Sequence, residues 1–331
     1  EKDYRYYNDT GFKTDINNYL KLNYEVTKNL NLFADLQYRY VKYNFVGIDY
    51  NYGDSTQTRT FNFFNPKAGI SWSPMQNARI YASYSIGNRE PNRDDFTENK
   101  YGNQPKAETL NDIEVGFTQN FKNVAYSVNL YDMEYTNQLV LTGELNDVGG
   151  SRRVNVDKSY RRGIELEAGG KITKYFELAG NITLSQNKIK NFKEIVSNYD
   201  TADGIDTNTY KLTDIAYSPN VISSVLLTIH PVKNFDITFV NKYVGKQYLD
   251  NTSHENRKLD PYYVADLRLA YLLKFKGIKE MRFTVSLNNI FNKMYSSNGY
   301  TYGWIYGRQY TYNHYYPQAG INVLGGISVS F

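Results

Sequence analysis

Cysteine is absent from the 331 residues, and histidine occurs only three times. The first absence excludes disulfide bonds, cysteine-ligated zinc and thiol catalysis. An excess of charge of one sign is missing as well, because 38 Lys and Arg stand against 34 Asp and Glu and the formal net charge is +4. Binding of nucleic acid needs a clustered basic surface, which this balance does not provide. The sequence therefore predicts no nucleic-acid partner.

Long hydrophobic runs are also missing. No stretch approaches the roughly 18 consecutive apolar residues that a membrane-spanning helix needs, so helical insertion is excluded. A membrane barrel is not excluded, because apolar and polar residues alternate along its strands and the mean hydropathy of each strand is therefore polar. The first residues, Glu1-Lys2-Asp3-Tyr4, lack the basic start and apolar core of a signal peptide. We expect either that the chain stays inside the cell or that its beginning lies elsewhere.

Alternation of apolar and polar residues dominates the chain. One segment sets Ile80, Ala82, Tyr84 and Ile86 on a single face, as expected of a strand with one apolar side. Thirteen such segments lie near residues 15–26, 30–41, 61–72, 78–86, 108–120, 124–135, 159–172, 175–187, 219–230, 235–246, 261–274, 281–291 and 320–331. Helical spacing with caps is nowhere sustained, so no helix is predicted.

The connections between these segments alternate in length. Short turns alternate with long loops at about 42–60, 87–107, 136–158, 188–218, 247–260 and 292–319. Short turns on one side and long loops on the other are typical of an outer-membrane antiparallel β-barrel. A soluble antiparallel sandwich is the alternative, since it alternates too.

Strand length and composition favour the barrel. The segments have about 10–13 residues, near the 9–11 or so of a tilted spanning strand, whereas soluble strands cluster nearer 5–6. The 34 Tyr residues suit the headgroup level of a bilayer, where an apolar ring and a polar tip are both satisfied. We therefore predict an all-β transmembrane barrel in the outer membrane of a Gram-negative bacterium.

Six motifs follow one another over residues 81–331. They are YASYSIGNREP (81–91), PKAE with IEVGF (105–108 and 113–117), YRRGIELE (160–167), YVGKQY (243–248), VSLNNIFNKMY (285–295) and YPQAG running to the terminal Phe331. Together the motifs resemble the C-terminal part of the barrel of a TonB-dependent outer-membrane receptor, of the kind common in the Bacteroidetes. Asn88 and Glu90 depart from the "GFRxP" pattern of that family.

The resemblance implies a barrel of 22 strands around an N-terminal plug. Residues 1–331 would then form one C-terminal portion, strands ten to twenty-two, beginning in an extracellular loop at about 1–14. Thirteen strands cannot close in that way, and open edges in lipid cost several kcal/mol per backbone group. The partners that the resemblance implies are the remaining N-terminal strands and plug, the TonB complex that pulls on the plug, a small-molecule ligand and a surface lipoprotein.

Charged residues on the polar strand faces are predicted to line the lumen and to contact the plug. This assignment rests on alternation alone. The residues are Glu114, Glu165, Glu167, Asp266 and Arg268.

Catalysis has little support in the sequence. Glu165 and Glu167 share a strand face, as a paired-carboxylate site requires, but acids on a lumen face commonly pair with bases across strands. His230, His254 and His314 stand in different segments, and none has a second His at metal-ligand spacing. Without helices there is also no phosphate-binding loop. We predict no catalytic residue, no metal site, no cofactor and no enzyme activity.

Candidate ligand-binding residues are concentrated in two predicted loops. They are Arg89 and Arg93 in loop 87–107, and Tyr300, Tyr302, Trp304, Tyr306, Arg308, Tyr310, Tyr312 and His314 in loop 292–319. Rigid rings with one Arg can hold a flat, partly charged ligand by stacking and charge-assisted hydrogen bonds. The alternative is that alternate Tyr residues extend the strands and brace one another. The mixed charge of loop 87–107 indicates a solvated loop.

Energised import of a scarce nutrient is the leading functional hypothesis. The resemblance implies a ferric siderophore, another iron complex or a corrinoid as the ligand, captured by loops and released inward when TonB moves the plug. The resemblance also implies that a haem receptor would carry a His in the region of residues 88–110, which contains none, and this counts against haem. A passive or adhesive barrel whose loops bind surface partners is the alternative. A barrel enzyme is a third hypothesis, disfavoured by the scarcity of His.

Overall fold

The computed structural model describes residues 7–49, 53–54, 56–97, 104–145 and 149–331. Most of them lie in strands. The strands are β1 (Tyr7–Thr27), β2 (Leu30–Asp49), β3 (Gly53–Asp54), β4 (Gln57–Met75), β5 (Ala78–Arg89), β6 (Glu108–Asn120), β7 (Val124–Leu145), β8 (Ser151–Lys171), β9 (Phe176–Asn198), β10 (Ile205–Asp214), β11 (Val221–Val232), β12 (Phe235–Val244), β13 (Gln247–Tyr248), β14 (Lys258–Leu259), β15 (Tyr262–Phe275), β16 (Ile278–Asn288), β17 (Ser296–Tyr306), β18 (Arg308–Pro317) and β19 (Asn322–Ser330). A single short helix, α1 (Arg93–Thr97), completes the described part.

Thirteen strands form one antiparallel sheet in which each pairs with the next. Their order is β1, β2, β4, β5, β6, β7, β8, β9, β11, β12, β15, β16 and β19. All thirteen coincide with the segments predicted from alternation, and the all-β prediction is confirmed. Within the described residues, β1 and β19 each pair on one side only.

The strands run further than the alternation predicts. β9 has 23 residues and β7 has 22, so much of the predicted loops 136–158 and 188–218 is paired strand. Loop 292–319 is the hairpin β17–β18. The expected loop at 1–14 is wrong from residue 7 onward, where β1 begins, and residues 1–6 lie outside the described part. Continued pairing satisfies backbone groups even where neither face is apolar.

The helix α1 was not expected from the sequence. Its start is a capping arrangement in which the Asn92 side chain accepts from the Asp95 amide at 2.9 Å and the Asp95 carboxylate accepts from the Asn92 amide at 2.8 Å. Phe96 anchors the helix by packing against Phe45, with ring centroids 5.9 Å apart. Alternation of apolar and polar residues does not reveal this reciprocal cap, because its sequence signature is only a pair of capping residues three positions apart, here Asn92 and Asp95.

One face of the sheet is apolar and lies on the outside. The apolar belt includes Ile164 and Leu166 in β8, Ile182 and Leu184 in β9, Leu267 and Leu269 in β15, Phe283 and Val285 in β16, and Val323 and Ile327 in β19. Val323 is 61% exposed and Ile327 is 67% exposed. A sandwich buries its apolar face, whereas a lipid-facing barrel wall leaves it outward. The exposure of the apolar face therefore favours the membrane barrel over the sandwich.

Buried apolar residues cluster elsewhere, at the end of the sheet that carries the long hairpins. Val140, Val156, Ile189, Phe192 and Ile215 pack together there, each at most 7% exposed. Among the described residues, no helix has the length and hydrophobicity to cross a membrane. The cluster gives the long hairpins a packed base on which side chains can be held in place.

Candidate functional site

The hairpin β17–β18 carries most of the candidate ligand-binding residues. It turns at Gly307, whose φ of 65° lies in the left-handed region that glycine adopts without strain. On either side of the turn, Tyr306 pairs with Arg308 and Trp304 pairs with Tyr310. Because side chains alternate across a strand, every second residue of both strands points to the same face.

That face is a ladder of stacked rings, which we name the aromatic strip. The aromatic strip consists of Tyr300, Tyr302 and Trp304 in β17 and Tyr310, Tyr312 and His314 in β18. Ring centroids lie 4.6 Å apart for Tyr300 and His314, 5.7 Å for Tyr302 and Tyr312, and 5.9 Å for Trp304 and Tyr310. The contacts show the rings bracing one another across the ladder, as the alternative expects, and ligand binding by these residues stays a prediction.

The tip of the hairpin carries the two remaining predicted residues. The Arg308 guanidinium lies 4.9 Å from the centroid of the Tyr310 ring, so a positive charge stands at one end of the aromatic strip. Tyr306 is 65% exposed beside it. A cation next to exposed rings favours an anionic aromatic ligand.

The opposite face of the hairpin is packed around Thr301 and Asn313. Thr301 is buried and donates to the side chain of Asn313 at 2.8 Å. Asn313 in turn donates to the carbonyl of Asn256 at 2.5 Å. Tyr217 donates to the carbonyl of Gly299 at 3.0 Å, and burial raises the pKa of Tyr217 to about 12. The aromatic strip is thus the face that the packing leaves accessible.

The hairpin also contacts a distant strand. Trp304 and Ile305 pair in parallel with Ser197 and Asn198 of β9, and the Gly307 amide donates to the Asp200 carboxylate at 2.6 Å. In the sheet, three strands separate β9 from β16, where the hairpin excursion starts. Nothing in the sequence indicates this contact.

A buried ion network lies beneath the hairpin. Arg257 donates to Glu194 at 2.7 Å and to Asp250 at 2.8 Å, and the three side chains are 8%, 12% and 7% exposed. Burial alone raises the pKa of Glu194, but hydrogen bonds from Arg257 and Tyr210 outweigh burial and lower it. Sequence reasoning missed all three charged residues, because isolated charges in polar loops look solvated.

Tyr210 and His254 extend this network. Tyr210 donates to Glu194 at 2.8 Å, and His254 Nε2 lies 3.2 Å from the Tyr210 hydroxyl. Burial, with the hydrogen bond to Glu194, raises the pKa of Tyr210. The phenol therefore stays protonated and donates to the carboxylate at physiological pH.

Arg89 and Arg93 lie apart from the aromatic strip in the contacts of the described residues. Arg89 pairs with Glu108 at 2.9 Å and Arg93 with Asp94 at 3.4 Å. The expectation of a solvated loop is wrong for Asp95, whose carboxylate is buried against Arg153 at 2.8 Å. Because Arg153 belongs to β8, its ion pair with Asp95 fixes the loop to the barrel wall, whereas the Arg93–Asp94 pair lies within the loop.

Two of the predicted lumen residues share a cavity on the polar face. Glu114 and Glu165 line it together with Arg161. Arg161 donates to Ser218 at 2.9 Å, and Asn129 donates to Glu165 at 3.4 Å. The cavity wall therefore presents both signs of charge on the side that faces away from the apolar belt.

The other predicted lumen residues also follow the alternation. Glu167 lies on the Glu165 face of β8, and Asp266 and Arg268 lie on the face of β15 opposite Leu267. Asp266 accepts from the Asn289 amide at 2.8 Å and so fixes the end of β16. The described residues include no group of three or more His, Cys, Asp or Glu side chains placed to hold a metal ion.

Comparison with known proteins agrees with this geometry. The family model of the TonB dependent receptor-like β-barrel matches residues 2–290. The catecholate siderophore receptor Fiu of Escherichia coli K12 is 22% identical over 261 residues, which are 73% of this chain and 31% of Fiu. The chain thus spans about a third of the length of that relative.

Solved structures show the same fold. The siderophore receptor PiuA of Acinetobacter baumannii superposes with a TM-score of 0.69 at 18% identity, covering 97% of this chain and 44% of PiuA. The ferric yersiniabactin uptake receptor FyuA of Yersinia pestis gives 0.68 at 15% identity, covering 97% and 46%. The resemblance of the six motifs to TonB-dependent receptors is confirmed at the level of the family. The chain belongs to the TonB-dependent receptor family, whose members are outer-membrane β-barrels, and forms part of the barrel.

Proposed function

We propose that this chain is the C-terminal part of a receptor that imports an iron complex across the outer membrane, and that the aromatic strip takes part in capturing the complex. The observation that carries the proposal is the strip itself: six stacked rings, accessible on one face, with Arg308 at one end. Ordered rings lose little conformational entropy when a ligand stacks on them.

The names of the relatives favour iron over a corrinoid as the cargo. Fiu is named a catecholate siderophore receptor, PiuA a siderophore receptor and FyuA a ferric yersiniabactin uptake receptor. A ferric catecholate combines flat aromatic arms with net negative charge. Stacking on Tyr302 or Trp304 and attraction to Arg308 match these two properties.

The remaining partners belong to the same proposal. The barrel is completed by N-terminal strands that add to the open edges at β1 and β19, and a plug fills the lumen. Plug and wall meet at Glu114, Glu165, Glu167, Asp266 and Arg268. The TonB complex acts on the plug and couples import to the proton gradient. Arg89 and Arg93 sit outside the strip and contribute charge to the rim.

Uptake in whole cells tests the proposal. Cells lacking the gene are complemented with the wild-type receptor and given radioactive iron as a synthetic ferric tris-catecholate. We expect uptake that a protonophore abolishes and that Trp304→Ala reduces. Tyr315→Ala is the matched control, because Tyr315 lies on the opposite face of the same hairpin and is 46% exposed.

Three results would contradict the proposal. Complemented cells that take up no ferric tris-catecholate would contradict import of a ferric catecholate. Uptake that persists with the protonophore would indicate the passive barrel instead. Uptake lowered equally by Trp304→Ala and Tyr315→Ala would remove the aromatic strip from the capture step. A parallel assay with a labelled corrinoid decides between the two cargo classes.

A further inference from the structure

The position of the aromatic strip depends on contacts far from it in sequence. The hairpin β17–β18 joins the sheet through β16 and β19, yet its tip lies against β9. The tip contact consists of the short parallel pairing with Ser197 and Asn198 and the bond from Gly307 to Asp200. These contacts hold the tip of the hairpin, and the bonds from Tyr217 to the Gly299 carbonyl and from Asn313 to the Asn256 carbonyl hold the part nearer its base.

Arg257 occupies the middle of this arrangement. Its Nη1 reaches Glu194 of β9 at 2.7 Å and Asp250 of the β13–β14 connection at 2.8 Å, and its Nη2 reaches the Thr311 hydroxyl of β18 at 3.4 Å. One side chain thereby joins the barrel wall, the connection beneath the hairpin and the hairpin itself. The side chain is 92% buried, as the 8% exposure shows, so water does not compete for these partners.

We propose that Arg257 is a positioning residue that fixes the hairpin β17–β18, and with it the aromatic strip, over β9. Guanidinium suits this task because it is planar, always charged and carries five donors in a rigid fork. An ammonium group is a point charge on a flexible stem and cannot serve three separated partners in the same way. The consequence for ligand binding rests on the proposed function; the positioning itself does not.

Hairpin position is measured directly with a pair of spin labels on the full-length receptor. The chain contains no Cys, so Gln309→Cys at the exposed tip and Thr209→Cys in β10 add the only thiols in this part of the protein. Electron paramagnetic resonance then gives the distribution of distances between the two labels. We expect one narrow distribution in the wild type and a distribution broadened toward longer distances in Arg257→Lys and Arg257→Met.

Two further variants separate positioning from general damage. Arg162→Met is the matched control, because Arg162 also binds two carboxylates, those of Asp132 and Glu134, but on the outer face of β8. It should leave the distribution narrow. Thr311→Val removes only the bond to the hairpin and keeps both ion pairs of Arg257. It should broaden the distribution less than Arg257→Met. If Arg257→Met does not fold, Arg257→Lys retains the buried charge and carries the test.

An unchanged distribution in both Arg257 variants would overturn the inference, as would equal broadening in Arg162→Met. Binding of the synthetic ferric tris-catecholate is measured on the same samples, and we expect about tenfold weaker affinity in Arg257→Met, equivalent to about 1.4 kcal/mol. Broadening with unchanged affinity would support positioning by Arg257 and count against capture by the strip. Unchanged distances in the Arg257 variants, together with weaker binding in Trp304→Ala, would support capture by the strip and count against positioning by Arg257.

Discussion

Tyr300 and His314 face each other across β17 and β18, with ring centroids 4.6 Å apart and ring planes 12° apart. The same His ring lies 5.6 Å from Tyr302, almost parallel to it at 5°. His314 is therefore part of a stacked array, and the array orders the rings before any ligand arrives. Pre-ordered rings are what a binding surface for flat ligands needs.

Removal of the central ring should weaken both the array and ligand binding. Tyr302 stacks with Tyr300, Trp304, Tyr312 and His314, and each aromatic pair contributes about 0.5–1.5 kcal/mol beyond burial. We expect Tyr302→Ala to lower the affinity for a ferric tris-catecholate by about tenfold, which corresponds to the free energy of roughly one aromatic pair. Titration calorimetry on purified receptor measures this. An affinity equal to that of the Tyr315→Ala control would contradict the prediction.

The loop after β5 should loosen in acid. Glu90 binds Lys13 at 3.0 Å and Arg39 at 2.7 Å, with its side chain 6% exposed. Burial alone raises the pKa of Glu90, but hydrogen bonds to its backbone, Lys13 and Arg39 outweigh burial and lower the pKa below 4.5. A carboxyl with a depressed pKa stabilises the fold fully above its unfolded value and loses that contribution as the pH falls through the folded value.

Hydrogen exchange of residues 90–97 measures this effect. We expect protection to be constant above pH 4.5, the ordinary value for Glu, and to decline below it. Glu90→Gln is the control, because an amide does not titrate and should remove the decline. An identical acid response in wild type and Glu90→Gln would show that another group controls the loop.

A charged side chain on the apolar belt should destabilise the barrel, whereas the same side chain at the next position of the strand, which faces inward, should not. Leu269 pairs with Ile237 and Val285 on the outer face, and Ala270 pairs with Asp236 on the inner face. A Lys on the lipid side of a barrel costs about 2–4 kcal/mol at the midplane. Unfolding of Leu269→Lys in lipid vesicles should show a loss of this size, and Ala270→Lys almost none. Equal losses of stability in the two variants would contradict the assignment of Leu269 to the lipid-facing side.

The glycine of the YRRGIELE motif should resist substitution. A Cβ on Gly163 would stand 2.5 Å from the Tyr131 hydroxyl and 2.7 Å from the Leu184 carbonyl, and a backbone carbonyl cannot move away at low cost. We expect Gly163→Ala to lower the free energy of unfolding by about 1–3 kcal/mol, as overpacking does. At Gly87 no atom lies within 4 Å of a built Cβ, so Gly87→Ala is the control. A loss at both positions alike would exclude the steric explanation.

The sequence predicts the sheet well where one face meets lipid, because lipid imposes strict alternation on each strand. Ile80 to Ile86 and Met281 to Leu287 are such cases. Beyond the apolar belt the alternation disappears although pairing continues, because apolar residues stand next to one another, as Leu139, Val140 and Leu141 do in β7, or are sparse, as in β10. The extension of β7 beyond Thr136 and the whole of β10 were therefore predicted as loop.

The candidate site was predictable to the extent that it is local. The aromatic strip repeats every second residue, so its rings were expected to share a face. In the Arg257 network, Glu194 lies 63 positions from Arg257 in the sequence and Asp250 lies 7 positions from it. Only the fold brings Glu194 next to Arg257. Pairings of that kind leave no periodic signal in a single sequence.

Capture of an iron complex by the aromatic strip is tested by measuring the affinity of the purified full-length receptor for a ferric tris-catecholate, with and without the Trp304 ring. We expect saturable binding that Trp304→Ala weakens by about tenfold, while the far-face variant Tyr315→Ala leaves it unchanged. Saturable binding with the same affinity in wild type, Trp304→Ala and Tyr302→Ala would contradict the claim.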